Sequence, residues 1–201
     1  MAAACLTLYE TTFDTRWFTE ARALADDLLR LFHDGDGGGF FQTGIDAERL
    51  VLRPKELFDN AVPSGNSAAA EVLLRLAFLT GEGSYESAAV SALRLVRDYL
   101  ERAPTGFGNA LAALDRYVGP SKEIAIVGDL ASDEAGDLVE TVWREYRPKI
   151  VMAAGSPDRG DVVPLLADRT TVDGGPAAYV CERFACRMPV SDPEALTAQL
   201  D

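Results

Sequence analysis

Glu56 and Asp59 sit three residues apart at the start of the stretch richest in groups able to do chemistry. Two neighbouring carboxylates can supply an acid and a base, the pairing that glycoside chemistry uses. Arg53 and Lys55 lie just upstream, and Asn60, Ser64 and Asn66 follow. Together these five form a candidate ligand-binding rim able to hold hydroxyls or an anion. The segment Asp59-Asn60-Ala61-Val62-Pro63-Ser64-Gly65-Asn66-Ser67 runs directly into an apolar helix. The first backbone N–H groups of that helix would add donors to the rim. The same residues also read as a plain turn at Pro63-Gly65 with Ser64 as an N-cap. Both readings stand at this point.

A second candidate is Cys181 with Cys186, two thiols five residues apart at the end of an apolar run. Free cysteines are usually buried structural thiols, which is the favoured reading here. Disulfide formation and redox exchange are the alternative. No second Cys/His pair completes a zinc site, so no metal is expected. His33 is the only histidine. It follows a predicted helix, where an imidazolium favours the dipole. The triple glycine Gly37-Gly38-Gly39 lacks the Lys-Ser/Thr of a phosphate loop, and G-x-G-x-x-G is absent from the chain. No cofactor is implied. Gly128-Asp129 closes a predicted strand, a position where α/β folds bind ligands. Asp129, Asp133, Glu134 and Asp137 crowd the helix start beyond it and disfavour phosphate; dipole stabilisation explains them more simply.

The formal charge of −13, with no local Lys/Arg cluster in the sequence, argues against nucleic acid. No apolar run is long enough to cross a bilayer, and the first residues lack a basic secretory n-region. Three cysteines make no disulfide framework. A reducing, cytoplasmic setting is the expectation. Leu6, Leu8 and Tyr9 read as a helix already under way, as though the chain began within a larger fold.

Helical spacing of Trp17, Ala21, Leu24 and Leu28 predicts an amphipathic helix over Thr15–Phe32. Pro54 divides the run from Leu50 to Phe58 into an extended segment and a loop. A helix apolar on most sides is predicted from Ser64 to Thr80, ended by Gly81. Further helices are predicted over Ser84–Glu101 and Phe107–Val118. Wet-faced and buried helices thus alternate, which suits an array of helical hairpins. After Pro120 the pattern becomes strand (Glu123–Asp129), helix (Ser132–Arg147), strand (Lys149–Ala154), then a third strand at Ala177–Cys181. Ser191-Asp192-Pro193-Glu194 reads as a capping box before a closing helix.

Five elements occur in one order: Leu8-Tyr9-Glu10-Thr11-Thr12-Phe13-Asp14, Gly38-Gly39-Phe40-Phe41, Arg53-Pro54-Lys55-Glu56, Asp59 to Ser67, and Ala178-Tyr179-Val180-Cys181. That order resembles the C-terminal part of the spermatogenesis-associated, thioredoxin-domain-containing family. The resemblance implies a thioredoxin-like domain followed by a six-hairpin toroid similar to N-acylglucosamine 2-epimerases. Here no C-x-x-C is present, and neither are the early hairpins. Epimerases of that shape rely on histidine pairs, which one histidine cannot supply.

The expected fold is therefore mainly α: a partial α/α toroid of helical hairpins over 1–119, with a small α/β region over 120–201. The expected function is a carbohydrate-type cavity module binding or modifying a sugar-like ligand around Asp59–Asn66. The alternative is a non-catalytic structural or redox-coupled module working with a thioredoxin-like partner. Helix faces left open by an incomplete toroid predict self-association as a homo-oligomer.

Overall fold

The computed structural model describes residues 1–48 and 51–201. Leu50, the start of the predicted extended run, lies outside the described residues. The order is α1 (Ala2–Thr12), α2 (Thr15–Phe32), α3 (Gly65–Thr80), α4 (Gly83–Leu100), α5 (Gly108–Val118), β1 (Lys122–Val127), α6 (Asp133–Trp143), β2 (Ile150–Gly155), β3 (Ala177–Glu182), β4 (Ala185–Cys186) and α7 (Pro193–Leu200). No helix among the described residues is long and apolar enough to cross a membrane.

The chain forms two compact units, neither of them a contiguous segment. The first comprises Met1–Leu6, Trp17–Ala77 and Glu82–Val118; the second comprises Thr7–Arg16, Phe78–Gly81 and Gly119–Asp201.

In the first unit α3 is the buried element. Leu73, Leu74 and Leu76 are fully removed from solvent, each contributing roughly 2 kcal/mol of burial. Tyr85, Ala88, Ala89, Ala92 and Val96 form the buried face of α4. In α2 the buried positions are Phe18, Ala21 and Ala25. The inward stripe is therefore turned from the predicted Trp17–Leu24–Leu28 line. Phe18 is buried with the small residues of that face, Ala21 and Ala25, and Trp17, Leu24 and Leu28 are only partly covered.

The second unit is built on a mixed sheet in the order β2-β1-β3-β4. β1 pairs parallel with β2 and antiparallel with β3. The β1–α6–β2 unit follows from the near-continuous apolar run of β1, buried on both faces. Ile124, Ile126, Leu138, Val142, Met152, Val180, Leu196 and Leu200 form one core. Ser132 caps α6 through the Ala135 N–H, and Asp192 caps α7 through the Ala195 N–H.

The expectation of a mainly α partial toroid is corrected. The described residues carry seven helices (52% helical) and a four-stranded mixed sheet (13% strand), a mixed α/β architecture. Two physical reasons account for the difference. α2 and α3 are joined by a long, largely irregular segment rather than a short hairpin turn, so alternating wet and buried helices did not imply hairpins. The sheet unit also draws in Thr7–Arg16 and the last turn of α3, which the helical pattern had assigned to the array.

Candidate functional site

The segment between α2 and α3 is held by side chains rather than by regular structure. Arg53 lies over the Phe41 ring at 4.1 Å and donates to Thr43 O at 2.6 Å. Lys55 donates to Gly38 O at 2.5 Å and pairs with Asp34 at 2.7 Å, its ammonium 4.8 Å from the same ring. The Gly37 N–H and Lys55 hold the Asp34 carboxyl down at about 2. Two predicted rim cations thus clamp their own loop.

Asn66 is 3% exposed and bridges two parts of that loop. Its Oδ1 accepts the Phe40 N–H at 2.8 Å, while Nδ2 donates to Phe40 O at 3.0 Å and Glu56 O at 2.8 Å. Gly39 is needed beside it. At φ +68°, a Cβ there would stand 2.6 Å from Asn66 Oδ1 and 2.4 Å from Leu95 Cδ1.

Asp59 faces inward. Its Oδ1 accepts the Ser64 N–H at 2.8 Å, and Oδ2 accepts the N–H groups of Asn109 at 2.9 Å and Ala110 at 3.1 Å. It is a long-range cap on α5, a carboxylate set at the positive end of that helix. Burial pushes its carboxyl up. Hydrogen bonds from Ser64, the Ser67 hydroxyl, Ala110 and Asn109 more than offset this and leave it below its ordinary range. Ser64 Oγ accepts the Ser67 N–H at 3.1 Å and donates to Ser67 Oγ at 2.9 Å.

Of the predicted pair, Glu56 has an exposed side chain and Asp59 an engaged, buried carboxylate. Asn60 is exposed, with Nδ2 reaching only Phe58 O at 3.5 Å. Asp59, Ser64 and Asn66 are brought together, and their bonds go to protein groups.

In the second unit, Cys181 and Cys186 are register partners across β3 and β4 and are joined by a disulfide, with Cα atoms 3.9 Å apart. Cys181 is fully buried, whereas Cys186 is exposed. The favoured sequence reading had both as buried free thiols. Antiparallel pairing was the missing information: a five-residue spacing brings two cysteines face to face only if the chain reverses between them.

That reversal has an unusual basis. The turn residues Arg183 and Phe184 take φ of +50° and +63°, a backbone that hairpins normally give to Asn-Gly. Holding two side-chain-bearing residues there costs about 1 kcal/mol or more apiece. Glu123, fully buried in β1, compensates by accepting the Arg183 and Phe184 N–H groups, each at 3.1 Å. Burial raises the Glu123 carboxyl above its ordinary range, against the pull of those two N–H groups and of Arg169. Arg169 completes the cluster: its Nη2 lies 3.2 Å from Cys186 Sγ and 3.4 Å from Cys181 Sγ.

Comparison with known proteins finds relatives in several animals. No family model matches the chain. It is 33% identical to human Spermatogenesis-associated protein 20 over 193 residues, covering 94% of this chain and 25% of that protein. The rat protein of the same name matches at 33% over 196 residues, covering 94% and 24%. The chain is homologous to Spermatogenesis-associated protein 20. It spans about a quarter of the length of these relatives, and the kinship brings no reaction with it.

Sequence reasoning missed Arg169 and Glu123. Arg169 stands in a segment without periodicity and left no signal. Glu123 left one: an acid opening an otherwise apolar strand.

A cleft of about 650 Å³ also opens in this unit at the carboxyl ends of β1 and β2, lined among others by Phe13, Asp14, Gly128, Asp129, Ser156 and Arg159. Asp129 Oδ1 there accepts the Ala131 N–H at 3.0 Å. Asp133 and Glu134 occupy the first turn of α6, where acids suit the dipole.

Proposed function

We propose that this chain is a redox-coupled module whose Cys181–Cys186 pair exchanges two electrons with a thioredoxin-like dithiol partner. One observation carries the reading: a disulfide joining a buried and an exposed cysteine, with a guanidinium within 3.4 Å of both sulfurs.

The asymmetry assigns roles. A partner thiolate attacks Sγ of Cys186, the exposed cysteine, the S–S bond breaks, and Cys181 leaves as a thiolate beside Arg169. A positive neighbour lowers the energy of the departing thiolate, and access rather than charge picks Cys186 as the point of attack. The partner's second thiolate then attacks the partner sulfur of the mixed disulfide and frees Cys186. The partner ends as a disulfide, and the pair has gained two electrons and two protons.

The carbohydrate reading at Asp59–Asn66 has less support, because Asp59, Ser64 and Asn66 already bond to protein groups.

Redox titration of the folded chain, with mass spectrometry of alkylated peptides, tests the proposal. Expected is a reversible two-electron transition, with a thioredoxin-like dithiol protein reducing the pair at least tenfold faster than dithiothreitol at equal thiolate concentration. Reduction that occurs only with unfolding, or no advantage for the protein dithiol, would sink it.

A further inference from the structure

The cleft at the carboxyl ends of β1 and β2 lies wholly within the second unit, and neither redox cysteine lines it. Its volume of about 650 Å³ is of the size that holds small organic ligands. Phe13, Leu130, Ala154 and Pro157 give it apolar walls. The Phe13 ring is fixed in place, edge-on to Tyr9 at 6.3 Å and packed against the sheet core. Gly155 lets the Arg159 stem lie against the end of β2, since a Cβ there would stand 3.2 Å from Arg159 Cγ.

The charged lining differs in what it has left to offer. Asp14 is committed: Oδ1 accepts the Arg16 N–H at 3.0 Å, and Oδ2 lies 3.4 Å from Arg16 Nη2. Asp129 uses Oδ1 for the Ala131 N–H at 3.0 Å, and its Oδ2 has no hydrogen bond among the described residues. The Arg159 guanidinium enters no hydrogen bond and no ion pair among them. Asp158, which feels that charge, takes the Ser156 hydroxyl instead. Both Asp129 and Arg159 are exposed. The cleft thus offers one free cation and one free carboxylate oxygen beside apolar walls.

That set selects by charge. A phosphate dianion would meet Asp14 and Asp129, with Asp133 and Glu134 in the first turn of α6 beyond them. A ligand with one carboxylate and one ammonium is neutral overall, so the net charge of −13 does not repel it. Its carboxylate suits the guanidinium fork and its ammonium the free Asp129 oxygen. We infer that this cleft binds a zwitterionic amino compound with a large apolar side chain. Arg159 holds its carboxylate and Asp129 its ammonium. The same chemistry is presented by a free amino acid and by a short apolar peptide.

The test is an NMR titration of the folded chain that follows the amides of Gly128 and Gly155, both in the cleft lining. L-phenylalanine carries both charges, 3-phenylpropionate the carboxylate alone and 2-phenylethylamine the ammonium alone. L-phenylalanine is expected to shift both amides saturably with Kd below about 1 mM, and each half-probe to bind at least tenfold more weakly. Arg159→Gln should bring L-phenylalanine down to the affinity of 2-phenylethylamine, whose own binding stays within about twofold. Asp129→Asn, which keeps an acceptor for the Ala131 N–H, should bring it down to that of 3-phenylpropionate.

L-leucyl-L-phenylalanine forms the second arm. Tighter binding than L-phenylalanine assigns the cleft to peptides, and weaker binding to the free amino acid. Three results overturn the inference: no saturable shift by about 10 mM, half-probes that bind as well as the zwitterion, or variants that bind as the parent does. Adenosine binding more tightly than L-phenylalanine also overturns it and gives the cleft to a nucleoside.

Discussion

Asp59→Asn destabilises the first unit by about 3 kcal/mol. The substituted amide keeps one acceptor oxygen for two groups of donors, the Ser64 N–H on one side and the Asn109 and Ala110 N–H groups on the other. Its NH2 then faces a backbone N–H, and a buried donor left without an acceptor costs on the order of 1–3 kcal/mol. The chain has two tryptophans. Trp17 belongs to the first unit and Trp143 to the second. Urea unfolding followed by Trp17 fluorescence in a Trp143→Phe background reads the unit in question. A loss below about 0.5 kcal/mol would mean that the carboxylate does not hold the start of α5. The pH dependence has a definite sign. The folded carboxyl lies below its ordinary value of 3.8. Its stabilisation is therefore complete above that value and disappears as pH falls through the lower, folded value. Asp59→Asn should flatten that acid limb.

Asn66→Ala loses roughly 2–3 kcal/mol and frees the loop between α2 and α3. Three bonds vanish together, and the Phe40 N–H and carbonyl sit in a residue only 3% exposed. Both are left without the partners that made burial tolerable. Hydrogen exchange at the Phe40 amide, expected to accelerate at least tenfold, is the direct measurement. Asn66→Asp sharpens the case. Aspartate can still accept the Phe40 N–H but presents an oxygen to the Phe40 and Glu56 carbonyls. It should be at least as damaging at neutral pH and recover part of the loss once protonated. An aspartate variant as stable as the parent would show that the donor half of Asn66 contributes nothing.

Local pattern was legible in the sequence wherever neighbouring residues decide the outcome. Thr15–Phe32, the stop at Gly81 with φ +76°, the apolar β1 and the cap at Asp192 all depend on residues within a turn or two. What was not legible depends on distant partners. Which face of α2 turns inward was decided by what packs against it, so Phe18 rather than Trp17 is buried. The rim around Asp59 could be listed by residue type, but whether its oxygens met solvent or the start of α5 depended on fifty intervening residues. The disulfide needed a turn built from Arg183 and Phe184, which carry no turn signature, and a carboxylate supplied from β1. The toroid expectation failed because helix alternation says nothing about how helices are joined.

The two units interleave along the chain, and this limits how the molecule can be taken apart. The second unit needs Thr7–Arg16 and Phe78–Gly81 as well as everything after Val118. Phe13, from the first of these segments, packs against the sheet core. A fragment cut at residue 119 would thus carry all four strands yet lack part of the wall they pack on. Synthesis order tells the same story: the residues around Phe13 are made more than a hundred positions before β1 exists to receive them. Closing so long a loop is an entropic toll on the rate of assembly rather than on final stability, and it leaves the N-terminal helix waiting for its sheet.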